Sequence, residues 1–301
     1  MSLYLLPAPC AIMAPPAVLS RRRRYPSDMS DPEWQILQTL LPPAASTTAT
    51  GGRPEKHDRR MIVDAIRYWA HNGIVWRALP SDFPPWRTVY GFFARWTAEG
   101  VVTQIHDALR EQVRSAAGRR NEPSAAIIDS QSVRAAETVA KDSRGWDQAK
   151  KINGRKRHIA VDALGLIVAI VITAASVQDR AAARALLWRL RSGHRRIRLV
   201  WADSGYAGKL VTWAKATLNL AVWIVKKKPG QRTFVVLPRR WIVERTFAWV
   251  SRYRRTVRDY ERLPAHHEAA VLWAMITIMT RRLACWHRPA RTPTPALPQA
   301  A

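Results

Sequence analysis

Residues 125–130 are Ala-Ala-Ile-Ile-Asp-Ser, and residues 197–203 are Ile-Arg-Leu-Val-Trp-Ala-Asp. Each stretch is a short apolar run of strand length that ends in a carboxylate, Asp129 in the first and Asp203 in the second. Each acid taken alone is equally consistent with a polar residue of a strand-end turn. Two acids at the carboxyl ends of neighbouring strands, however, lie where open α/β sheets place their functional sites. The pair therefore predicts a sheet with a site at one edge.

The segments around these two runs extend the sheet in a definite order. Strands are predicted at residues 125–130, 158–162, 166–173, 197–202 and 221–225, and helices at 179–191, 206–218, 238–257 and 265–283. The second and third strands flank the turn signal Asp162-Ala-Leu-Gly165, which predicts a hairpin. Three strands followed by alternating helices and strands are typical of the RNase H-like fold. We therefore predict an α/β domain over residues 123–287, with a mixed five-stranded sheet flanked by helices.

The chain before this domain has a helical pattern. Asp31 and Asp58 are predicted to cap two helices, and apolar residues recur at helical spacing as far as about residue 118. We predict an all-α domain over residues 25–118. Residues 1–24 and 288–301 contain many prolines and are expected to form a disordered leader and a disordered tail.

The composition restricts the class of protein. The chain of 301 residues has 49 Lys and Arg against 22 Asp and Glu, a formal net charge of +27, and 48% of its residues are hydrophobic. The charge favours a polyanionic partner, with nucleic acid ahead of a membrane surface or a ribosome. Its 2 cysteines exclude a disulfide framework and a four-cysteine zinc site. The apolar run at 166–172 is much shorter than the roughly 20 residues of a membrane span, so we expect a cytoplasmic, nucleoid-associated protein without a membrane.

Glu244 is the third acid whose position is informative. At about 100° per residue it shares a helix face with Arg240, so an i,i+4 ion pair is the simplest explanation of Glu244 alone. Together with Asp129 and Asp203, it supplies a third hard oxygen ligand. Phosphoryl transfer on DNA is served by two Mg²⁺ ions about 4 Å apart, and a few carboxylates at a sheet edge suffice to hold them. The three acids are therefore a candidate catalytic set for two Mg²⁺ ions, with Mn²⁺ as a substitute.

Six stretches of the chain resemble bacterial insertion-sequence transposases of the DDE type, in the IS-five-like branch. The resemblance extends over roughly residues 25–285, nearly everything outside the two tails. Each stretch is a weak signal alone, but six in the right order are a strong one. They are Arg-Tyr-Pro-Ser-Asp-Met-Ser-Asp-Pro-Glu-Trp (24–34), Trp-Arg-Ala-Leu-Pro-Ser-Asp-Phe-Pro-Pro-Trp (76–86), Ile-Asp-Ser-Gln-Ser-Val (128–133), Gly-Arg-Lys-Arg-His-Ile (154–159), Trp-Ala-Asp-Ser-Gly-Tyr-Ala-Gly (201–208) and Leu-Pro-Arg-Arg-Trp-Ile-Val-Glu-Arg-Thr-Phe (237–247).

The resemblance implies a function as well as a fold. It makes Asp129, Asp203 and Glu244 the metal-binding DDE triad of an RNase H-like domain, which follows a helical DNA-binding domain. In this hypothesis, metal-activated water attacks the phosphate at an element end and exposes a 3′-hydroxyl, which then attacks target DNA. The DNA partners are the terminal inverted repeats and the target, both double-stranded. Both element ends must be held together, so a homodimer or a higher oligomer on DNA is expected.

The resemblance also assigns residues around the glutamate. The family signature there is Tyr, two residues, Arg, three residues, Glu, six residues, Lys. Arg240 and Glu244 match its middle, and Arg240 is expected to hold a phosphate oxygen. The Tyr and Lys positions hold Leu237 and Ser251, so the phosphate contacts of these outer positions are not carried over.

Further DNA-binding candidates depend on charge. They are Arg155, Lys156 and Arg157, then Arg53 and Lys56, and finally Arg252. The first three are predicted to lie in a basic loop between two strands, where they either follow a DNA backbone or form a solvated charge cluster. The next two follow Gly51-Gly52 and precede a predicted helix, which is an arrangement suited to phosphates. Arg252 would contact phosphate without reading sequence.

Two alternatives to a transposase follow from the same residues. A nuclease of the same fold would hydrolyse DNA without joining strands, and a strand-transfer assay separates the two. A non-catalytic or decayed DNA-binding protein of the same fold would bind terminal DNA and stay inert with both Mg²⁺ and Mn²⁺. The complete set of three acids favours the enzyme.

Overall fold

The computed structural model of the chain describes residues 23–47, 51–225 and 239–286. The predictions for the tail, for Leu237 and for residues 1–22 of the leader lie outside the described residues. At the end of the predicted leader, Arg24 forms an ion pair with Asp82, with 3.1 Å between Nη1 and Oδ2.

The described residues alternate between helices and strands in the predicted succession. The strands are β1 (Ala125–Arg134), β2 (Gly145–Asp147), β3 (Ile152–Val161), β4 (Ile167–Ala174), β5 (Leu199–Ala202) and β6 (Ala221–Ile224). The helices are α1 (Asp31–Gln38), α2 (Arg59–Asn72), α3 (Trp86–Ala98), α4 (Val101–Ala116), α5 (Asp179–Gly193), α6 (Lys209–Leu218), α7 (Arg240–Ser251), α8 (Arg254–Val257) and α9 (Pro264–Trp286). The predicted helix over 238–257 is divided, since α7 ends at Ser251.

The six strands of the described chain form one mixed sheet. β3 lies between β1 and β4 and is antiparallel to both, whereas β1, β5 and β6 are parallel neighbours in that order. The short β2 pairs with the start of β3, and β4 pairs with the rest of β3 along the same edge. The sheet is therefore five strands wide, as predicted, although it contains six strands. An antiparallel hairpin followed by parallel strands is the predicted RNase H-like arrangement, and this fold is confirmed.

Two strands are longer than predicted. β1 does not end near Asp129, because β3 pairs with it as far as Arg134. The parallel pairing of β1 with β5 stops earlier, at Ile127, so Asp129 lies beyond the parallel pairing rather than at a strand end. β3 begins at Ile152, so the predicted basic loop at 155–157 is wrong, and these residues belong to a strand.

One hydrophobic core joins the N-terminal helices to the sheet. It contains apolar residues of α1 to α4, of β1, β3 and β4, and of α7 and α9, including Trp69, Phe93, Val243 and Trp273. Because side chains alternate along strands, the other face of the sheet forms a second core beneath α5 and α6. The N-terminal helices are therefore not packed separately from the C-terminal ones. The division into domains at residues 118–123 stays a prediction.

α9 is the central helix of the first core. Its length and apolar composition match those of a membrane span, but most of its residues are buried inside the protein. It packs against α1, α2, α3 and α4 on one side and against β4 on another. Burial in this core therefore accounts for its composition.

Candidate active site

Asp129 and Asp203 come from neighbouring parallel strands. Asp129 lies in β1, and Asp203 follows the last residue of β5. Each acid uses its Oδ1 atom locally: Asp129 Oδ1 accepts from its neighbour, the backbone N–H of Ser130, at 2.7 Å, and Asp203 Oδ1 accepts from that of Gly205 at 2.8 Å. The backbone thus holds one oxygen of each carboxylate and leaves the Oδ2 atoms for the site.

Glu244 is supplied by α7, which packs on β1 and β3. The helix is attached to the turn between β3 and β4, where Thr246 Oγ1 donates to the carbonyl of Gly165 at 2.8 Å. Gly165 has a φ of +79°, and a Cβ atom there would lie 2.9 Å from both Thr246 Oγ1 and Trp249 Cζ3. Only glycine allows the turn to approach α7 this closely, so Gly165 contributes to the position of Glu244.

A second contact fixes the start of α7. Arg239, the residue before the helix, has a φ of 74°, a backbone conformation that residues with side chains rarely adopt. Its guanidinium lies 4.1 Å from the centroid of the Trp201 ring, in β5. Strained backbone of this kind is often found at functional sites. Here it accompanies the attachment of α7 to the strand that precedes Asp203.

The three acids converge on a single atom of Arg240. Nη2 of Arg240 lies 3.7 Å from Asp129 Oδ2, 3.7 Å from Asp203 Oδ2 and 3.8 Å from Glu244 Oε1. Because all three oxygens lie within 3.8 Å of one nitrogen, no two of them can be further apart than twice that value. The i,i+4 ion pair expected between Arg240 and Glu244 is present, and it is part of a four-residue cluster. The structure brings together the three predicted acids and Arg240.

Burial alters the acidity of Asp129. Burial raises the pKa of Asp129 from 3.8 to about 6, and the nearby carboxylate of Asp203 acts in the same direction. The N–H of Ser130 and the charge of Arg240 oppose this rise in the pKa. Raised carboxyl pKa values are characteristic of functional sites, where several acids share a small volume.

Two further acids near the site are neutralised by Lys156. Its Nζ atom lies 3.2 Å from Asp179 Oδ1 and 3.5 Å from Asp147 Oδ2. Ser130 Oγ, next to Asp129, donates to Asp179 Oδ1 at 2.8 Å. Asp179 is the first residue of α5, and Asp147 is the last residue of β2 and is 6% exposed. Lys156 and His158 are two residues apart in β3, so their side chains lie on the same face of the strand. This spacing is the feature of the sequence that could have indicated a polar cluster with Asp147 and Asp179.

The three cations predicted in a basic loop are buried within β3. Arg155 is 0% exposed and forms an ion pair with Asp259, with 3.0 Å between Nη1 and Oδ2. Arg157 is 2% exposed and donates from Nε to Gln131, and burial lowers its pKa to about 10. Lys156 is 6% exposed. Guanidinium and ammonium groups enclosed in this way cannot reach a DNA backbone, so the prediction that these three residues bind DNA is corrected.

The other DNA-binding candidates have different surroundings. Arg53 and Lys56 are exposed in the loop before α2, and Arg252 is exposed just after α7. Arg240 faces the carboxylates. The structure therefore leaves Arg53, Lys56 and Arg252 accessible to a large ligand.

The donor set fits a hard divalent cation. Three carboxylate oxygens from three elements surround Nη2 of Arg240, so a positively charged group already lies between them. Within residues 23–47, 51–225 and 239–286, no group of three or more Asp, Glu, His or Cys side chains has the arrangement of a formed metal site. A cation would therefore take the oxygens that Arg240 now contacts. Oxygen ligands of this kind suit Mg²⁺ and Mn²⁺.

Comparisons with known proteins agree on one class. Residues 120–279 match the family described as "Transposase DDE domain", and residues 29–106 match that described as "Putative transposase of IS4/5 family". A Burkholderia cepacia protein described as "Putative transposase for insertion sequence element IS402" is 32% identical over 143 residues, which are 42% of this chain and 67% of that relative. The same activity is named in all three descriptions.

Proposed function

The chain belongs to the DDE transposases of the IS4/5 family, and we propose that Asp129, Asp203 and Glu244 are its catalytic, metal-binding carboxylates. Transposases of this family bind and cleave DNA and use divalent metal ions. In this proposal the ions are two Mg²⁺, replaceable by Mn²⁺. The reaction is cleavage at the ends of an insertion sequence, followed by transfer of the exposed 3′-hydroxyl to target DNA.

The observation that carries the proposal is the convergence of three acidic oxygens on Nη2 of Arg240. Their Oδ2 and Oε1 atoms come from β1, from the end of β5 and from α7, and all lie within 3.8 Å of that nitrogen. Bound divalent ions would polarise the scissile phosphate and activate the attacking oxygen. The N–H groups of Ser130 and Gly205 hold the other oxygens of the two aspartates, so the ligand atoms are oriented before any ion arrives.

The other acids near the three catalytic carboxylates are neutralised by a lysine. Lys156 pairs with Asp147 and Asp179, so these two acids are not free to attract an ion themselves. Arg240 can serve either the carboxylates or a phosphate oxygen, because its guanidinium has several N–H donors. With the acids occupied by cations, Arg240 becomes available to the DNA, which is the role that the family signature gives it.

The proposal includes contacts away from the carboxylates. Arg53 and Lys56, exposed before α2, and Arg252, exposed after α7, would neutralise phosphates of the terminal repeats without reading sequence. Two copies of the chain would hold the two element ends together, so that cleavage and joining occur in one complex. A helical segment at residues 25–118 that binds the terminal repeats remains part of this proposal.

The decisive experiment measures cleavage of DNA that carries the inverted repeats flanking the gene. We expect the unaltered chain to nick this DNA in Mg²⁺ or Mn²⁺ and the Asp203→Asn variant to lose at least 1,000-fold in rate, an order of magnitude typical for removing a group that acts as part of a catalytic unit. The matched control is Asp142→Asn, since Asp142 is exposed in the short 3-10 helix Lys141–Ser143, away from the cluster of the three acids with Arg240. It should cleave like the unaltered chain.

Adding target DNA to the same assay separates joining from hydrolysis. Joint molecules with the element end linked through its 3′-hydroxyl are expected from a transposase. Equal cleavage by Asp203→Asn and the unaltered chain would contradict the assignment of the carboxylates. Cleavage without joint molecules would indicate a nuclease of the same fold.

A further inference from the structure

α7 carries a group of aromatic and basic side chains besides Arg240 and Glu244. Trp241, Arg245 and Trp249 are four residues apart and lie along one face of the helix. The Arg245 guanidinium lies 4.5 Å from the centroid of the Trp241 ring and 4.6 Å from that of Trp249. Arg282 of α9 reaches the Trp249 ring as well, at 4.3 Å. Two arginines from different helices thus lie over one tryptophan.

Open space surrounds this arrangement. A cavity of about 610 Å³ lies between α7, α9, the end of α4 and the turn between β3 and β4. A second cavity of about 360 Å³ lies between α9, α2 and the end of α7. Both cavities are lined by Trp249, Arg281 and Arg282. We call the two cavities together with Arg245, Arg252, Arg281 and Arg282 the arginine cleft.

The arginine cleft has no matching negative charge among the described residues. Neither cavity is lined by an Asp or Glu of that part of the chain, and none of the four arginines has a carboxylate within 4 Å there. Asp162, whose charge acts on Arg245 and Arg282, is already paired with Arg114. Elsewhere in the protein, buried arginines such as Arg67 and Arg255 have a glutamate partner.

Crowded cations without acids are costly to bring together. Burial lowers the pKa of Arg282, and the nearby charge of Arg245 lowers it further, which indicates that the two guanidinium groups repel each other. The electron-rich face of Trp249 offsets part of this repulsion. An anion in the cleft would offset the rest, and arginine is the residue that matches the oxygen geometry of phosphate.

We infer that the arginine cleft binds the phosphate backbone of a DNA strand that leads to or from the catalytic carboxylates, an inference that rests on the proposed function. Trp249 is about 7.5 Å along the helix axis from Glu244, since each residue advances a helix by about 1.5 Å. The cleft therefore lies along the same helix as Glu244, on a different face of it. Trp241 and Trp286, which are 41% and 50% exposed, provide rings for contact with sugars or bases.

The test measures DNA affinity by fluorescence anisotropy in EDTA, so that cleavage does not occur. Arg282→Gln should weaken binding of a labelled terminal-repeat duplex by about 5- to 10-fold and should reduce the slope of log K against log salt concentration by about 1, as expected for one lost phosphate contact. Arg252→Gln should act in the same direction. Because Arg252 is exposed at the rim of the cleft, this variant addresses the inference even if Arg282→Gln unfolds.

The chain offers a matched control in Arg184. Its guanidinium also lies over a tryptophan, 5.4 Å from the centroid of the Trp213 ring, but it is on α5, against the opposite face of the sheet. Arg184→Gln removes the same charge from the same kind of contact and should leave the affinity and the salt slope unchanged. A loss in Arg184→Gln equal to that in Arg282→Gln would mean that only the net charge matters, and would overturn the inference.

Photocrosslinking locates the strand independently. DNA with 5-iodouracil next to the cleavage position should crosslink to Trp241 or Trp286, as identified by mass spectrometry. Crosslinks confined to other regions, or unchanged binding in both Arg282→Gln and Arg252→Gln, would overturn the inference and leave an acidic protein segment as the occupant of the cleft. Failure of the proposed function is a separate result, because it would appear as an absence of Mg²⁺-dependent cleavage by the unaltered chain.

Discussion

Nη2 of Arg240 lies 3.7 Å from Oδ2 of Asp129, the acid whose pKa burial raises to about 6. A guanidinium placed among three carboxylates offsets the repulsion between them. It also occupies the position from which a divalent cation would contact the same oxygens. The arginine and the cation are therefore expected to compete for these oxygens.

Replacement of Arg240 by Gln should tighten the binding of Mn²⁺. Glutamine is neutral, so the cation no longer displaces a positive charge from the carboxylates, and the dissociation constant measured by isothermal titration calorimetry should fall about 5- to 50-fold, which corresponds to about 1 to 2 kcal/mol. The rate of cleavage at saturating Mn²⁺ should fall, because Arg240 no longer contacts a phosphate oxygen. Arg240→Lys keeps the charge and should retain the weaker Mn²⁺ affinity. Weaker Mn²⁺ binding by Arg240→Gln than by the unaltered chain would contradict this account.

Asp129→Asn should stabilise the protein in EDTA at neutral pH. The pKa of Asp129 is about 6 in the folded protein and 3.8 as the reference, so above pH 6 folding must bury an ionised carboxylate. The variant removes this cost and should raise the free energy of unfolding by about 1 to 3 kcal/mol at pH 7.5. As pH falls from 6 towards 4, the carboxyl group becomes protonated in the folded state, so the advantage of the variant should decrease. Urea denaturation at pH 4.5 and 7.5 measures both values, and a pH-independent difference would refute the prediction.

Gly165→Ala should slow cleavage by displacing α7. The added Cβ atom would lie 2.9 Å from Thr246 Oγ1 and from Trp249 Cζ3, so α7 must move away from the turn. Because Glu244 is on that helix, we expect cleavage to fall about 10- to 100-fold, since misplacement by about 1 Å costs roughly this much. Gly91→Ala is the control, because nothing lies within 4 Å of a Cβ at that helical position. Cleavage by Gly165→Ala at the normal rate would show that the turn does not position Glu244.

The fold could be predicted from sequence because its signals are local. Apolar runs, the Asp162-Ala-Leu-Gly165 turn and helical periodicity each depend on a few adjacent residues, and their order corresponds to one known topology. The length of β3 could not be predicted in this way, because the run Arg155-Lys156-Arg157 has the composition of a solvated loop. Its partners, among them Asp259 and Asp179, come from distant segments, and sequence spacing does not reveal such pairs.

The residues of the candidate site could also be predicted from local sequence signals, but their contacts with distant segments could not. Asp129 and Asp203 follow apolar runs, and Glu244 shares a helix face with Arg240. That these three acids meet around one nitrogen depends on how α7 packs on the sheet, through Thr246 and the turn at Gly165. The arginine cleft could not be predicted from the sequence, because Arg245 and Arg282 are on helices that are separated in the chain and adjacent only in the fold.

Lys156 and Lys56 form the clearest test of which cations serve the fold and which serve DNA. Lys156 is 6% exposed and pairs with Asp147 and Asp179, so Lys156→Met leaves two acids without their cation. Breaking a buried ion pair from one side costs about 3 to 5 kcal/mol, and we expect a loss of that size in urea denaturation. Lys56 is exposed, so Lys56→Met should change stability by less than about 0.5 kcal/mol and should weaken DNA binding by anisotropy. A Lys156→Met protein that keeps its stability but binds DNA more weakly would instead show that Lys156 is an accessible, DNA-binding cation.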